Sequence, residues 1–335
     1  MNAKHAVGLS STEIAALWTT YITETMSICL TKHFIKYMED NEVKPILTMA
    51  LELAETHIAE IRNIFEKEKF PIPQGFTDAD VDLSAPSLFF DLFPLSYAYT
   101  LGRMGLLTYG MFVTKVARED IRLFFTNNLH ASTDLYNKSV QLMLEKGIYD
   151  RPPFIPYPEH AEFLKEKETF LSKWLEPHRP LNVLELSEMF FIVERNYFGL
   201  IVLTAFIQVT KDEKIKSHLI RGKELALKQI NFINETLIKD DLLGNTMVNT
   251  EVTTSNVSPF SDRLILNLVN MLNSTAVTHL GQALSVATRF DLAAEFVKLM
   301  NDVLQYGKDG MDILIERNWF EEPPHAPDRK ALAGV

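Results

Sequence analysis

Leu9-Ser10-Ser11-Thr12-Glu13 and Leu181-Asn182-Val183-Leu184-Glu185 are the two stretches on which the reading of the fold turns. In the first, the Ser10 side chain can accept the N–H of the third helical residue while Glu13 reaches back to the N–H of Ser10. This reciprocal pair satisfies donors that a helix start otherwise leaves open. Leu9 and Ile14 flank it where a hydrophobic staple belongs. Asn182, Glu185, Leu181 and Leu186 fill the same four roles 172 residues later.

Outward from these starts the displacement persists. Glu52-Leu53-Ala54 matches Glu224-Leu225-Ala226. With the displacement reduced to 171, Ser87, Phe89 and Asp91 match Ser258, Phe260 and Asp262, and Gly110, Arg118 and Asp120 match Gly281, Arg289 and Asp291. Glu145, Pro152, Pro153 and Pro156 then align with Glu316, Pro323, Pro324 and Pro327. A register held this long marks a tandem repeat. It divides the chain into repeat one at 1–150, a Pro-rich linker with a short helix from His160 to Trp174 at 151–180, and repeat two at 181–335.

Each repeat reads as four long helices. In repeat one the first carries Ile14, Trp18, Tyr21, Ile28, Ile35 and Met38 at helical spacing, and breaks at Asp40-Asn41-Glu42. The second carries Ala50, Leu53, His57, Ile61 and Ile64. A polar stretch from Pro71 to Pro86 follows, after which Ser87 (Ser258 in repeat two) is placed to cap the third helix. The fourth helix begins near Arg118-Glu119-Asp120 and ends at Gly147, or at Asn318 in repeat two, residue types that tolerate the left-handed position after a helix. The third helices carry few charges, which predicts burial on more than one side, with Gly110 and Gly281 allowing close helix approach.

Connections that run short, long, short give the expected fold class. It is all-α, with two tandem ferritin-like four-helix bundles, each with a long crossover between helices two and three. An up-down bundle, which needs three short loops, ranks second.

Composition excludes several function classes. Lys plus Arg number 33 against 44 Asp plus Glu, a formal charge of −11, which disfavours nucleic acid as a partner. Cys29 is the single cysteine, so neither a disulfide framework nor a cysteine zinc site is available. No Gly-rich phosphate loop, G-x-S-x-G, H-E-x-x-H or Cys-x-x-Cys occurs. The start of the chain lacks the apolar run of a secretory signal. The uncharged stretch Leu264 to Thr288 holds too many polar residues, among them Asn267, Asn270, Asn273 and His279, for a membrane span. The expectation is a cytoplasmic protein, a monomer or a weak homodimer.

The chemistry to look for in such a bundle is a dinuclear metal centre, which needs a Glu from each of two helices and a Glu-x-x-His pair from each of the others. Repeat one offers Glu24 on helix one and His57 on helix two, but Ala54 stands where the bridging Glu would be. Its third helix offers no carboxylate or histidine, and its fourth offers His130 and Asp134. In repeat two Asn196 replaces Glu24 and Gln229 replaces His57. A complete dinuclear site is absent from both halves. What remains is a reduced site for a single Fe, Mn or Zn on Glu24, His57 and Asp134, against the plainer reading of His57 as a core histidine hydrogen-bonded across the bundle to Glu24. His33 reads as surface. Tyr21, Tyr97 and Tyr109 read as core residues with hydroxyl partners, and Cys29 as a buried thiol. Asp78-Ala79-Asp80-Val81-Asp82 reads as a polar crossover loop rather than a calcium loop.

Four segments carry a resemblance to a known family: L-S-S-T-E-I-A-A-L-W-T-T-Y at Leu9 to Tyr21, F-P-I-P-Q-G-F-T at Phe70 to Thr77, R-P-P-F-I-P at Arg151 to Pro156 and N-W-F-E-E-P-P at Asn318 to Pro324. In combination they resemble the uncharacterised tandem ferritin-like family of spore-forming bacteria, some of whose members carry a spore-coat label. The resemblance covers nearly the whole chain. It implies a ferritin-like fold repeated twice, and it implies no activity and no cofactor. The expected function is that of a structural or interaction protein, spore- or stress-associated, rather than an enzyme. The alternative is a degenerate metal- or small-ligand-binding protein with a redox role in repeat one.

Overall fold

The computed structural model describes residues 7–161, 163, 179–244 and 252–334. The short helix and the docking of Trp174 expected in the linker lie outside the described residues. Repeat one contributes α1 (Ser11–Tyr37), α2 (Val43–Glu68), α3 (Leu92–Val113) and α4 (Glu119–Glu145). Repeat two contributes α5 (Val183–Val209), α6 (Glu213–Lys239), α7 (Asp262–Val286) and α8 (Phe290–Glu316), and a short α9 (Arg329–Ala333) follows. The described residues form no β-strand, only an isolated antiparallel bridge between Phe89 and Val252.

Both helix starts are built as the sequence requires. Glu13 donates its N–H to Ser10 Oγ and accepts the Ser10 N–H at 2.7 Å, and Asn182 with Glu185 repeats the box. The same glutamates also reach much farther along the chain. Glu13 Oε1 accepts the N–H groups of Ala117 and Arg118, at 3.2 and 2.8 Å, just before α4. Glu185 Oε1 accepts those of Thr288 and Arg289, both at 3.0 Å, just before α8. One buried carboxylate thus ties the start of the first helix to the start of the fourth in each repeat. Gly147 and Asn318 end α4 and α8 at φ 68° and 57°, as read from the sequence.

The cap of the third helix in repeat two falls three residues later than expected. Ser258 folds into a turn with Phe260, and Ser261 caps α7 by accepting the N–H of Leu264. Ser87 makes the same turn with Phe89 ahead of α3. A hydroxyl two residues from a free N–H competes with the cap position. The close approach between α3 and α4 is also elsewhere than at Gly110, where a Cβ would meet only Leu129 at 4.0 Å. It lies at Gly102, where a Cβ would stand 2.7 Å from the Tyr136 backbone nitrogen, and at Gly105, against Ser132.

The chain forms two compact units. The first comprises 1–83, 94–142 and 315–335, and the second 84–93 and 143–314. In the first, α1 packs along α2, and Leu17, Tyr21, Ile61, Phe65, Ile121 and Phe125 form its core. Its F-P-I-P-Q-G-F-T segment is held by the closing N-W-F-E-E-P-P segment, because Glu321 accepts the N–H groups of Gln74 and Gly75 at 2.6 and 3.1 Å. Gly75 sits at φ +62°, with Thr25 Oγ1 only 2.6 Å from where a Cβ would be, so no other residue fits this turn. In the second unit, Thr253 donates its N–H to Leu88 O and its hydroxyl to Ser87 O, pairing the two crossovers. Crossover backbone without a helix of its own must find such partners, and these partners come from the other repeat's sequence.

Among the described helices, α5 is long and apolar enough to cross a membrane by length and composition, whereas the uncharged stretch Leu264 to Thr288 falls on α7. Its Leu186, Met189, Ile192 and Val193 are buried in the second unit's core with Ile233, Leu280 and Phe296.

Candidate functional site

Glu24 lies midway along α1, His57 on the buried stripe of α2 and Tyr109 on α3. The fold brings these three together. His57 Nδ1 stands 2.8 Å from Glu24 Oε1, and the Tyr109 hydroxyl donates to the same oxygen at 2.5 Å. The side chains of His57 and Glu24 are 6% and 14% exposed, which places the carboxylate inside rather than at the rim. The His57 ring meets Tyr109 edge-on at 5.8 Å and Phe124 at 6.2 Å.

The protons follow from this geometry. Burial pushes the Tyr109 hydroxyl well above its ordinary value, and the adjacent Glu24 charge and hydrogen bond push it further, so it stays protonated and donates. A carboxylate accepts only, so Nδ1 of His57 carries the ring proton toward Glu24. In this arrangement Oε1 of Glu24 is met by both His57 Nδ1 and the Tyr109 hydroxyl.

The other expected ligand is placed elsewhere. Asp134 and His130 lie on the exposed face of α4, and the inward positions of that helix are taken by Phe124, Phe125 and Leu135. Among the described residues, no three His, Cys, Asp or Glu side chains converge where they could hold a metal ion. Glu24 and His57 alone fall short of the three or four protein ligands that protein metal sites usually supply.

In repeat two the equivalent positions form a neutral copy of the pair. Asn196 Nδ2 donates to Gln229 Oε1 at 3.0 Å, and to Ile192 O at 2.9 Å. Both pairs bridge 33 residues of sequence. The buried Leu280 stands in the place of Tyr109.

The other tyrosines have the partners expected of core residues. Tyr21 accepts from Arg62 at 2.9 and 3.0 Å, and Tyr97 donates to Ser27 at 3.2 Å. Cys29 is buried, its thiol directed at Thr77 O, 3.3 Å away. The acidic tract folds into a short 3-10 turn, Asp78–Asp80, in which Asp80 caps the N–H of Thr77 and Asp78 pairs with Lys32 at 2.8 Å. His33 corrects the surface reading. It is 1% exposed and lies 5.1 Å from the Tyr37 ring, and the adjacent Lys32 that suggested a surface instead extends to Asp78. The role of Tyr109 as the third member of the cluster is also new. Its spacing from Glu24, 85 residues away, carries no signal in the sequence.

No curated protein sequence matches the chain. Among solved structures it is similar to a crystal structure from Bacillus halodurans C-125 described as a "putative spore coat protein", with 20% identity over 47% of this chain and 98% of that one and a TM-score of 0.37. The two repeats are matched one after the other, over residues 2–160 and 169–332, by the family described as "Protein of unknown function (DUF3231)", and the chain belongs to that family.

Proposed function

We propose that each repeat is a ferritin-like bundle in which interior metal chemistry has given way to hydrogen-bonded packing, and that the protein serves as a structural or interaction protein. The observation that carries this reading is the matched pair of interior contacts. Where a di-metal bundle places ligands, repeat one has Glu24 with His57 and Tyr109, and repeat two has Asn196 with Gln229, each member bonded to another. Four long helices per repeat, linked by short, long and short connections, support the bundle topology. Side chains that satisfy one another need no ion to justify their burial. A degenerate single-metal site for Fe, Mn or Zn is the competing reading. It has Glu24 and His57 together but Asp134 on the exposed face.

The test exchanges one repeat's pair for the other's. A variant carrying Glu24→Asn, His57→Gln and Tyr109→Leu should fold with helical content and solubility unchanged and an unfolding midpoint near that of the parent. A collapse of stability far beyond that of the single variants would show that repeat one needs its ionisable pair for something other than packing.

A further inference from the structure

The second unit holds a small cavity of about 90 Å³ between α5, α6, α7 and α8, with Leu225, Val269, Leu272 and Val303 among its aliphatic walls. An apolar cavity of about 150 Å³ can hold benzene, so in proportion this one has room for a guest of about four non-hydrogen atoms.

Polar side chains on the wall are largely committed. Asn196 and Gln229 bond to each other, Asn273 donates to Val303 O, and the Arg195 guanidinium lies over the Phe198 ring at 5.2 Å. Tyr306 differs. It is 4% exposed, its ring lies flat against His218 at 4.1 Å, and its hydroxyl stands against Gly222 on the same wall, where a Cβ would collide with it. That hydroxyl has no hydrogen-bond partner among the described residues. Buried hydroxyls are otherwise almost always paired. Burial also raises it above its ordinary value, so it stays protonated and is a donor in need of an acceptor.

The walls decide what that acceptor belongs to. Water fits poorly. At roughly 15 Å³ each, about six molecules would fill the cavity, and each wants about three polar partners that aliphatic side chains do not supply. A cation finds no carboxylate among the described lining residues, and an anion finds the guanidinium already stacked. An alcohol would bury a proton of its own that needs an acceptor, whereas a carbonyl brings an acceptor and no donor.

We propose that this cavity binds one small neutral carbonyl compound about the size of acetone, its oxygen accepting from the Tyr306 hydroxyl and its alkyl groups lying against the aliphatic walls. The alkyl groups gain from leaving water, and the carbonyl satisfies the buried hydroxyl. The proposal concerns repeat two alone and is independent of whether repeat one holds metal.

Methyl NMR of the full chain, titrated with acetone and separately with acetate as the charged probe of similar size, tests it. Acetone should shift the Leu225, Val269, Leu272 and Val303 methyls saturably, with the millimolar affinity that so small a guest allows. Acetate should bind at least tenfold more weakly. Tyr306→Phe keeps the ring and removes the donor, so acetone affinity should fall at least threefold while the unfolding midpoint does not fall. Ala276→Leu fills the cavity from α7 and should abolish the shifts. Gly199→Leu fills it from α5, where a Cβ would meet nothing within 4 Å, and provides the second blocking variant. No saturable shift with acetone, equal affinity for acetone and acetate, unchanged affinity in Tyr306→Phe, or shifts that survive both blocking variants would overturn the proposal.

Discussion

Glu24 of α1 and His57 of α2 stand 2.8 Å apart, and at the same place in the second repeat Asn196 and Gln229 stand 3.0 Å apart. The charge has changed and the contact has not. A ligand set would have to keep its donor chemistry, whereas a packing contact has only to keep its complementarity. This relationship sets the expectations for mutation.

Removing one partner should cost more than replacing both. His57→Ala leaves the Glu24 carboxylate, largely buried, with Tyr109 as its remaining donor. A loss of about 1–3 kcal/mol follows from an unsatisfied buried acceptor together with the lost packing. Urea unfolding, read against the variant carrying Glu24→Asn, His57→Gln and Tyr109→Leu, should show the larger loss for His57→Ala.

The capping carboxylate of repeat two should make that half acid-sensitive at low pH. Burial alone would raise Glu185, but the Arg179 side chain and the N–H groups of Asn182, Thr288 and Arg289 outweigh it and hold the carboxyl at about 2, against an ordinary 4.5. Because the folded value is depressed, the stabilisation is complete above 4.5 and is lost as pH falls from 4.5 toward 2. The midpoint difference between the parent and Glu185→Gln should therefore be largest above pH 4.5 and shrink below it.

His218 acts in a higher window. Burial lowers it, and the positive charge of Arg221 lowers it further against the opposing effect of Asp309, from 6.5 to about 4. Its ring lies stacked on Tyr306 at 4.1 Å. The neutral form is the one the fold holds, so stability is complete above pH 6.5 and declines between 6.5 and 4, by about 3 kcal/mol if the group titrates alone. His218→Phe keeps the stack and removes the titration, and should flatten the dependence in thermal unfolding between pH 7 and 4.5.

Glu321 should stabilise the first unit from a position remote in sequence. Glu321→Ala removes the acceptor for two N–H groups of the Gln74-Gly75 turn. At a partly exposed site this should cost about 1–2 kcal/mol. Hydrogen exchange of the Gln74, Gly75 and Phe76 amides should speed up while the core of the second unit is unchanged.

What the sequence revealed was local. Ser10 with Glu13, Asn182 with Glu185, and the left-handed Gly147 and Asn318 are settled by residues a few positions apart, and the structure places them as read. The repeat and the all-helical class followed from them. What it concealed was the second partner of each local motif. Glu13 reaches Ala117, and Glu321 reaches Gln74. Nothing in the spacing encodes those contacts. The His33 misreading has a related cause. α1 buries Thr20, Thr25, Ser27 and Thr31 besides its apolar stripe, so its period no longer separates inside from outside. At the site, Glu24 and His57 were legible as a pair because both sit beside a helical stripe. The exposed Asp134 was not excluded, because a helix-four residue can be assigned to an inner face only once α4 has been rotated into place.

The most direct measurement is elemental analysis of the full chain purified without chelators or a histidine tag, beside the His57→Ala variant. The account predicts Fe, Mn and Zn at background in both proteins. About one metal per chain in the parent, lost in His57→Ala, would contradict it and make Glu24 and His57 ligands rather than packing partners.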